Sequence, residues 1–140
     1  MHIDMDLTHP YNCLTFNLQR ATRSLMRAFE AAAKESGLTV PQFTTLSLMA
    51  GYGDMSVTQI SDKMGTDRTT MTRNLDLLAR KGWIASVTAE DGRLHLWALT
   101  DAGRDRLAIA MPVWQAFQAG LVDKIGADTA KATLTTLAKL

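Results

Sequence analysis

Apolar residues recur along this chain with a helical period in six stretches, interrupted once by a short run of strand-like residues. From Tyr11 to about Ser36, the residues Leu14, Leu18, Ala21, Leu25, Phe29 and Ala32 fall at helical spacing. Arg20, Arg23 and Arg27 lie on other faces of the same stretch. This predicts one long amphipathic helix, stopped by Gly37. Residues 1 to about 10 are polar and mixed and end in Pro10, which reads as a loose arm. Thr39 is placed to cap a second helix, with Pro41 in its first turn, Gln42 at the capping-box position, and Phe43, Leu46, Met49 and Ala50 as its apolar face. Gly51-Tyr-Gly-Asp-Met then reads as a loop. Tyr52 in it covers the core or lines a ligand pocket.

Ser56 and Gln59 have capping-box spacing, and Val57, Ile60 and Met64 share one face, so a short helix starts here. Gly65 sits where a left-handed residue ends a helix. Only Gly65, Thr66 and Asp67 precede the next helix, whose stripe is Met71, Leu75 and Leu78. Two helices joined by so short a turn form a helix-turn-helix. Arg80 and Lys81 suit the C-terminal end of the helix dipole, and Gly82 ends the helix. Trp83 to Val87 and Leu94 to Leu99 read as two strands, joined by a polar tip whose Asp91-Gly92 is a strong turn signal. Thr100 should cap a long helix to about Ile125, with Leu107, Met111, Trp114 and Leu121 on one face. Pro112 inside it predicts a kink near Ala108 to Pro112. After Gly126, Asp128 is placed to cap a last helix with Leu134 and Leu137 inward. The fold class is mainly α with a small antiparallel β-hairpin wing.

The chemistry concentrates on the second helix of the pair. Arg68, Thr69, Thr70, Thr72, Arg73 and Asn74 offer hydroxyl, guanidinium and amide groups with no carboxylate among them. Those groups hydrogen-bond base edges and phosphates in a major groove. A merely solvated face is more often Lys and Glu. Arg93, beside the hairpin tip, is placed to enter a minor groove. Its bland alternative is an ion pair with Glu90 or Asp91 that only orders the turn.

Several runs, taken in order, resemble the MarR family of bacterial transcriptional regulators: Leu38-Thr-Val-Pro-Gln-Phe, Thr58-Gln-Ile-Ser-Asp-Lys-Met-Gly, Asp67-Arg-Thr-Thr-Met-Thr-Arg-Asn-Leu, Leu78-Ala-Arg-Lys-Gly-Trp, Asp91-Gly-Arg and Leu99-Thr-Asp-Ala-Gly-Arg. The resemblance implies a winged helix-turn-helix subunit that forms a homodimer through its N- and C-terminal dimerisation helices. It implies one recognition helix per subunit in the major groove of a pseudo-palindromic site on double-stranded DNA. It further implies a small aromatic or phenolic effector held between the lobes, near the first helix and the Trp and Met residues. One branch of the family senses hydroperoxides through a first-helix cysteine directly before a Phe. Here Cys13 stands three residues before Phe16, on a different face. A redox role for Cys13 is therefore set against that of a small buried or interface residue.

A length of 140 residues fits one domain. Its DNA-binding lobe is expected at about 38–99 and its dimerisation lobe at about 11–36 plus 100–140. Neither long helix can bury all its apolar positions in one small subunit, which independently predicts a dimer. The net charge is +1, from 15 basic and 14 acidic residues, which argues against a non-specific nucleic-acid coat or a polybasic membrane binder. Within 56–99, six basic residues (Lys63, Arg68, Arg73, Arg80, Lys81, Arg93) face five acidic ones (Asp62, Asp67, Asp76, Glu90, Asp91), a modest stripe that suits a salt-sensitive specific reader. No signal peptide or membrane-spanning run is apparent, and one cysteine suits a reducing cytoplasm. His2 and His9 are too isolated for a metal site, and no cofactor is indicated.

Three function classes follow. The favoured one is a sequence-specific DNA-binding regulator, a ligand-responsive repressor in form. A winged-helix module that binds protein is supported only by the near-neutral charge. An enzyme has no support: the Cys has no His partner, and no phosphate loop or carboxylate pair stands out.

Overall fold

The computed structural model describes residues 5–140, so His2 lies outside the described residues. Six helices and one hairpin follow in order: α1 Leu14–Ala32, α2 Val40–Tyr52, α3 Val57–Met64, α4 Arg68–Arg80, β1 Ile84–Thr88, β2 His95–Leu99, α5 Asp101–Ile125 and α6 Ala127–Leu137. The mainly helical fold with one antiparallel hairpin is the winged-helix arrangement that the periodicity predicts.

The helix starts carry the expected chemistry. Thr39 and Ser56 each accept a hydrogen bond from the third helical N–H, and Gln42 and Gln59 each reach back to the cap N–H. Gly65 adopts φ 62° and closes α3 in the left-handed conformation. Asp67 caps α4: its Oδ1 accepts the Thr70 N–H at 2.9 Å. The Thr100 hydroxyl accepts the Gly103 N–H at 3.1 Å and donates to the Gly82 carbonyl at 2.6 Å, so one side chain ties the exit of α4 to the start of α5.

The core belongs to the middle of the chain. Leu46, Met49, Ile60, Met71, Leu75, Leu78 and Ala110 are at most 1% exposed, and Phe29, Ala33, Leu107 and Ile84 join them. Burying each large apolar side chain contributes roughly 1.5–3 kcal/mol, so α2, α3, α4, β1 and the first part of α5 hold one another. Most of α1, the end of α5 and all of α6 stand outside this core.

The sheet has a third participant that the apolar pattern does not reveal. Strands β1 and β2 pair from Ile84 opposite Leu99 to Thr88 opposite His95. Met55, just before α3, bridges Trp97 with two backbone hydrogen bonds of 3.1 and 2.8 Å. The wing is thereby fixed to the entrance of the helix-turn-helix.

Five local expectations are corrected. Residues 5–9 are not a loose arm: Asp6 accepts both the amide and the hydroxyl of Thr8, and His9 caps a 3-10 turn at Pro10–Asn12. The first helix does not run to Ser36. Ser36 is buried, its hydroxyl donates to the Ala33 carbonyl at 2.6 Å, and the backbone tightens to a 3-10 turn before Gly37. Gly51 and Tyr52 belong to α2, because Gly53, not Gly51, takes the positive φ that ends it. Tyr52 does not cover the core. It is 66% exposed, with the Lys63 ammonium 4.0 Å from its ring centroid. Finally, Asp128 lies inside the first turn of α6 and Gly126 occupies the cap position, while Leu134 and Leu137 point outward in the single chain. Helix α5 continues without interruption through Pro112.

Candidate nucleic-acid interface and the cavity behind it

Burial of Met71, Leu75 and Leu78 orients α4. At 100° per residue, the line opposite that stripe runs through Thr69, Arg73, Asp76 and Arg80, and all four are exposed. Arg68 and Thr72 flank the line on one side, and Thr70 and Asn74 flank it on the other. The six predicted residues therefore do not present one uniform face.

Their free hydrogen-bonding capacity differs as well. The Thr70 hydroxyl donates to Asp67 Oδ2 at 2.7 Å, and the Thr72 hydroxyl donates to the Arg68 carbonyl at 2.8 Å. Both hydroxyl protons are engaged, leaving lone pairs and methyl groups to face outward. Asn74 is half-buried and borders a hollow shared with Thr39, Pro41 and Gln42 at the start of α2. Arg68, Thr69 and Arg73 keep exposed side chains with no hydrogen-bond partner among the described residues. Two hydrogen bonds from Thr70, backbone N–H first and hydroxyl second, hold the Asp67 carboxyl below its ordinary 3.8.

Arg93 stands at the hairpin tip. Its backbone N–H donates to Asp91 Oδ1 at 3.0 Å, and Gly92 adopts φ 70°. Main chain thus orders the turn, and the exposed Arg93 guanidinium is left without a partner among the described residues. Lower on the wing, Ser86 Oγ and His95 Nε2 meet at 2.7 Å across the strands, and the His95 ring lies 5.3 Å from that of Trp97. Neither residue is prominent in the sequence, because the pairing depends on register. Asp76 and Arg80 were also missed as outward groups; only the direction of the α4 stripe reveals them.

Cys13 occupies the cap position of α1, is exposed, and makes no capping hydrogen bond through its sulfur. The expectation of a buried small residue therefore fails for the single chain. Among the described residues no cluster of His, Cys, Asp or Glu could hold a metal, and no helix is long and apolar enough to cross a membrane.

Behind the helix-turn-helix, α1, α2 and α5 line an open cavity of about 300 Å³. Phe29 packs on Phe43 at 5.2 Å and on Phe117 at 5.7 Å, while Phe43 and Trp114 lie near-parallel at 6.2 Å. The cavity lies where α1 and α5 meet the core at α2.

The comparisons with known proteins agree with this geometry. A family model described as the MarR family matches residues 36–94. The transcriptional regulator MosR of Mycobacterium tuberculosis, solved in complex with DNA, is similar at 31% identity over 91% of this chain and 96% of that one, with a TM-score of 0.76. The transcriptional repressor CouR, solved on a 23-mer DNA duplex, is similar at 26% identity over 97% of each chain, with a TM-score of 0.83. An uncharacterized HTH-type regulator of Bacillus subtilis, YdgJ, shares 24% identity over 91% of this chain and 76% of its own length.

Proposed function

Because this chain belongs to the MarR family, and is a winged-helix transcriptional regulator rather than an enzyme, we propose that it represses transcription as a ligand-responsive homodimer on a pseudo-palindromic operator in the cytoplasm. The observation that carries this reading is the start of α4: Arg68, Thr69 and Arg73 are exposed, with no partner among the described residues, on the helix that the core turns outward. In the proposed complex these side chains enter the major groove. The guanidiniums suit the N7 and O6 acceptors of guanine, and Thr69 suits any base edge or phosphate. Thr70, Thr72 and Asn74 shape the flanks, and Arg93 reaches the adjacent minor groove from the wing. The likeness to MosR and CouR, both solved on DNA, supports the assignment.

The homodimer is supported by the outer helices. Leu14, Leu134 and Leu140 are at least 63% exposed, and Phe16 is also uncovered. Two recognition helices would then need to stand about one DNA turn apart, roughly 34–36 Å. In this reading, a molecule bound in the cavity between α1, α2 and α5 alters that separation. CouR has also been solved bound to p-coumaroyl-CoA, which supports a ligand response here.

The test is fluorescence anisotropy with DNA from upstream of the chain's own gene, at several salt concentrations and with excess unrelated duplex. Nanomolar binding that survives the competitor is expected. Binding that the competitor abolishes for every fragment in a genome-wide selection would overturn the reading in favour of a protein-binding winged helix.

A further inference from the structure

The outward line of α4 carries one residue of the wrong sign for a surface that meets DNA. Thr69, Arg73, Asp76 and Arg80 are all exposed along it. At 3.6 residues per turn, their side chains fan within about 60° of one another. Asp76 stands between the two arginines, with its negative charge on the same side of the helix. Beside a polyanion that charge is unfavourable on any sequence, over a range of about 10 Å at 0.1 M salt.

Nothing among the described residues takes up that carboxylate. Nearby acids serve the fold. Asp67 accepts the amide and the hydroxyl of Thr70 at 2.9 and 2.7 Å, and Asp91 accepts the Arg93 N–H at 3.0 Å. Asp76 accepts no hydrogen bond and forms no ion pair among the described residues, with Arg73 three residues before it and Arg80 four after. It borders an open hollow on α4 with Ala79 and Arg80. Met71, Leu75 and Leu78, which hold the helix to the core, lie on the opposite face, so Asp76 has no part in packing.

We infer that Asp76 is a specificity-determining residue: its carboxylate accepts a hydrogen bond from the N4 amine of one cytosine in each half-site, and repels sequences that lack that cytosine. The inference rests on the reading above that α4 enters the major groove, and deepens it. An ionised aspartate has acceptors only, which match the N4 donor of cytosine. Guanine and thymine present acceptors in the groove, and adenine sets N7 beside its amine, so a carboxylate meets repulsion at each. The helix rise puts Asp76 about 4.5 Å beyond Arg73 along the axis, against a base-pair step of about 3.4 Å. The cytosine therefore lies one or two base pairs from the guanine that Arg73 contacts.

The experiment selects duplexes from a pool randomised over both half-sites, with the full chain unaltered, as Asp76→Ala and as Arg73→Ala. Anisotropy then compares the selected operator with an unrelated duplex. One position per half-site should require cytosine for the unaltered chain and accept all four bases for Asp76→Ala, with the other positions unchanged. The ratio of operator affinity to unrelated affinity should fall about fivefold or more, because the operator complex loses a hydrogen bond and the unrelated complex loses a repulsion. Thermal unfolding of Asp76→Ala should match that of the unaltered chain. Identical base preferences at every position would overturn the inference, as would an unchanged affinity ratio. A loss confined to the position that Arg73→Ala also loses would make Asp76 a positioning residue for Arg73, and overturn direct contact. If neither substitution alters the selected sequence, α4 does not read bases, and the underlying reading fails together with the inference.

Discussion

At the scale of single residues, position on a helix decides between contact and support. Arg73 lies on the outward line of α4, with no partner among the described residues. Arg73→Ala should therefore lower operator affinity by about 1–3 kcal/mol, the range for a guanidinium on a base edge, with thermal unfolding nearly unchanged. A large loss of stability instead would make Arg73 structural. Asp67 is a supporting residue and carries a pH signature. Its carboxyl titrates lower in the folded chain than its ordinary 3.8 because Thr70 donates to it twice. The unfolded chain thus takes up the proton first as pH falls. The stabilising contribution is complete above that ordinary value and is lost as pH drops through the folded one. Urea unfolding of the unaltered chain and Asp67→Asn should differ most at neutral pH and converge below pH 3.8. A gap that persists in acid would show that the cap does not act through its charge. Gly103 is required by space rather than conformation. A Cβ there would come within 2.1 Å of the Trp83 carbonyl oxygen. Gly103→Ala should cost about 1–3 kcal/mol or more, read as a fall in Tm.

At the scale of elements, the helices were legible because each announces itself locally. The capping boxes at Thr39–Gln42 and Ser56–Gln59, the left-handed Gly65 and the stripe Met71, Leu75, Leu78 are all readable within a few residues, and all are present. What stayed hidden depends on distant partners. Met55 bridging Trp97, the close approach of Gly103 to Trp83, and Ser86 meeting His95 arise from chain segments that spacing does not relate. The same holds for the candidate DNA face: the residue types were legible, but which hydroxyls are spent on Asp67 and the Arg68 carbonyl was not. The wing gives a prediction at this scale. The Arg93 backbone N–H already orders the turn through Asp91, so Arg93→Ala should leave the hairpin intact and weaken operator binding by about 1–3 kcal/mol. Unchanged affinity would confine Arg93 to the turn.

At the scale of the whole molecule, the proportions of the chain argue for a partner copy. It exposes 9996 Å². A compact monomer of 15.4 kDa would expose about 7,200 Å² by the usual scaling with mass. The excess lies where the core does not reach: along α1, past Trp114 on α5, and over α6, which buries no residue. Apolar patches of that kind on a small subunit are covered by association, and a two-fold pair is the simplest closed arrangement. Leu134 and Leu137 sit on α6 at 63% and 41% exposure. Replacing both with Glu should convert a species of twice 15.4 kDa in sedimentation equilibrium into one of 15.4 kDa. The core lies upstream of α6, so helical content and the melting of the core should survive. Binding to a two-half-site operator should collapse, because a single recognition helix loses the gain of simultaneous contact with both half-sites. A variant that stays dimeric would move the interface away from α6. An unaltered chain that sediments as a monomer would leave the exposed stripe to a different partner and overturn the geometric basis of the proposed switch.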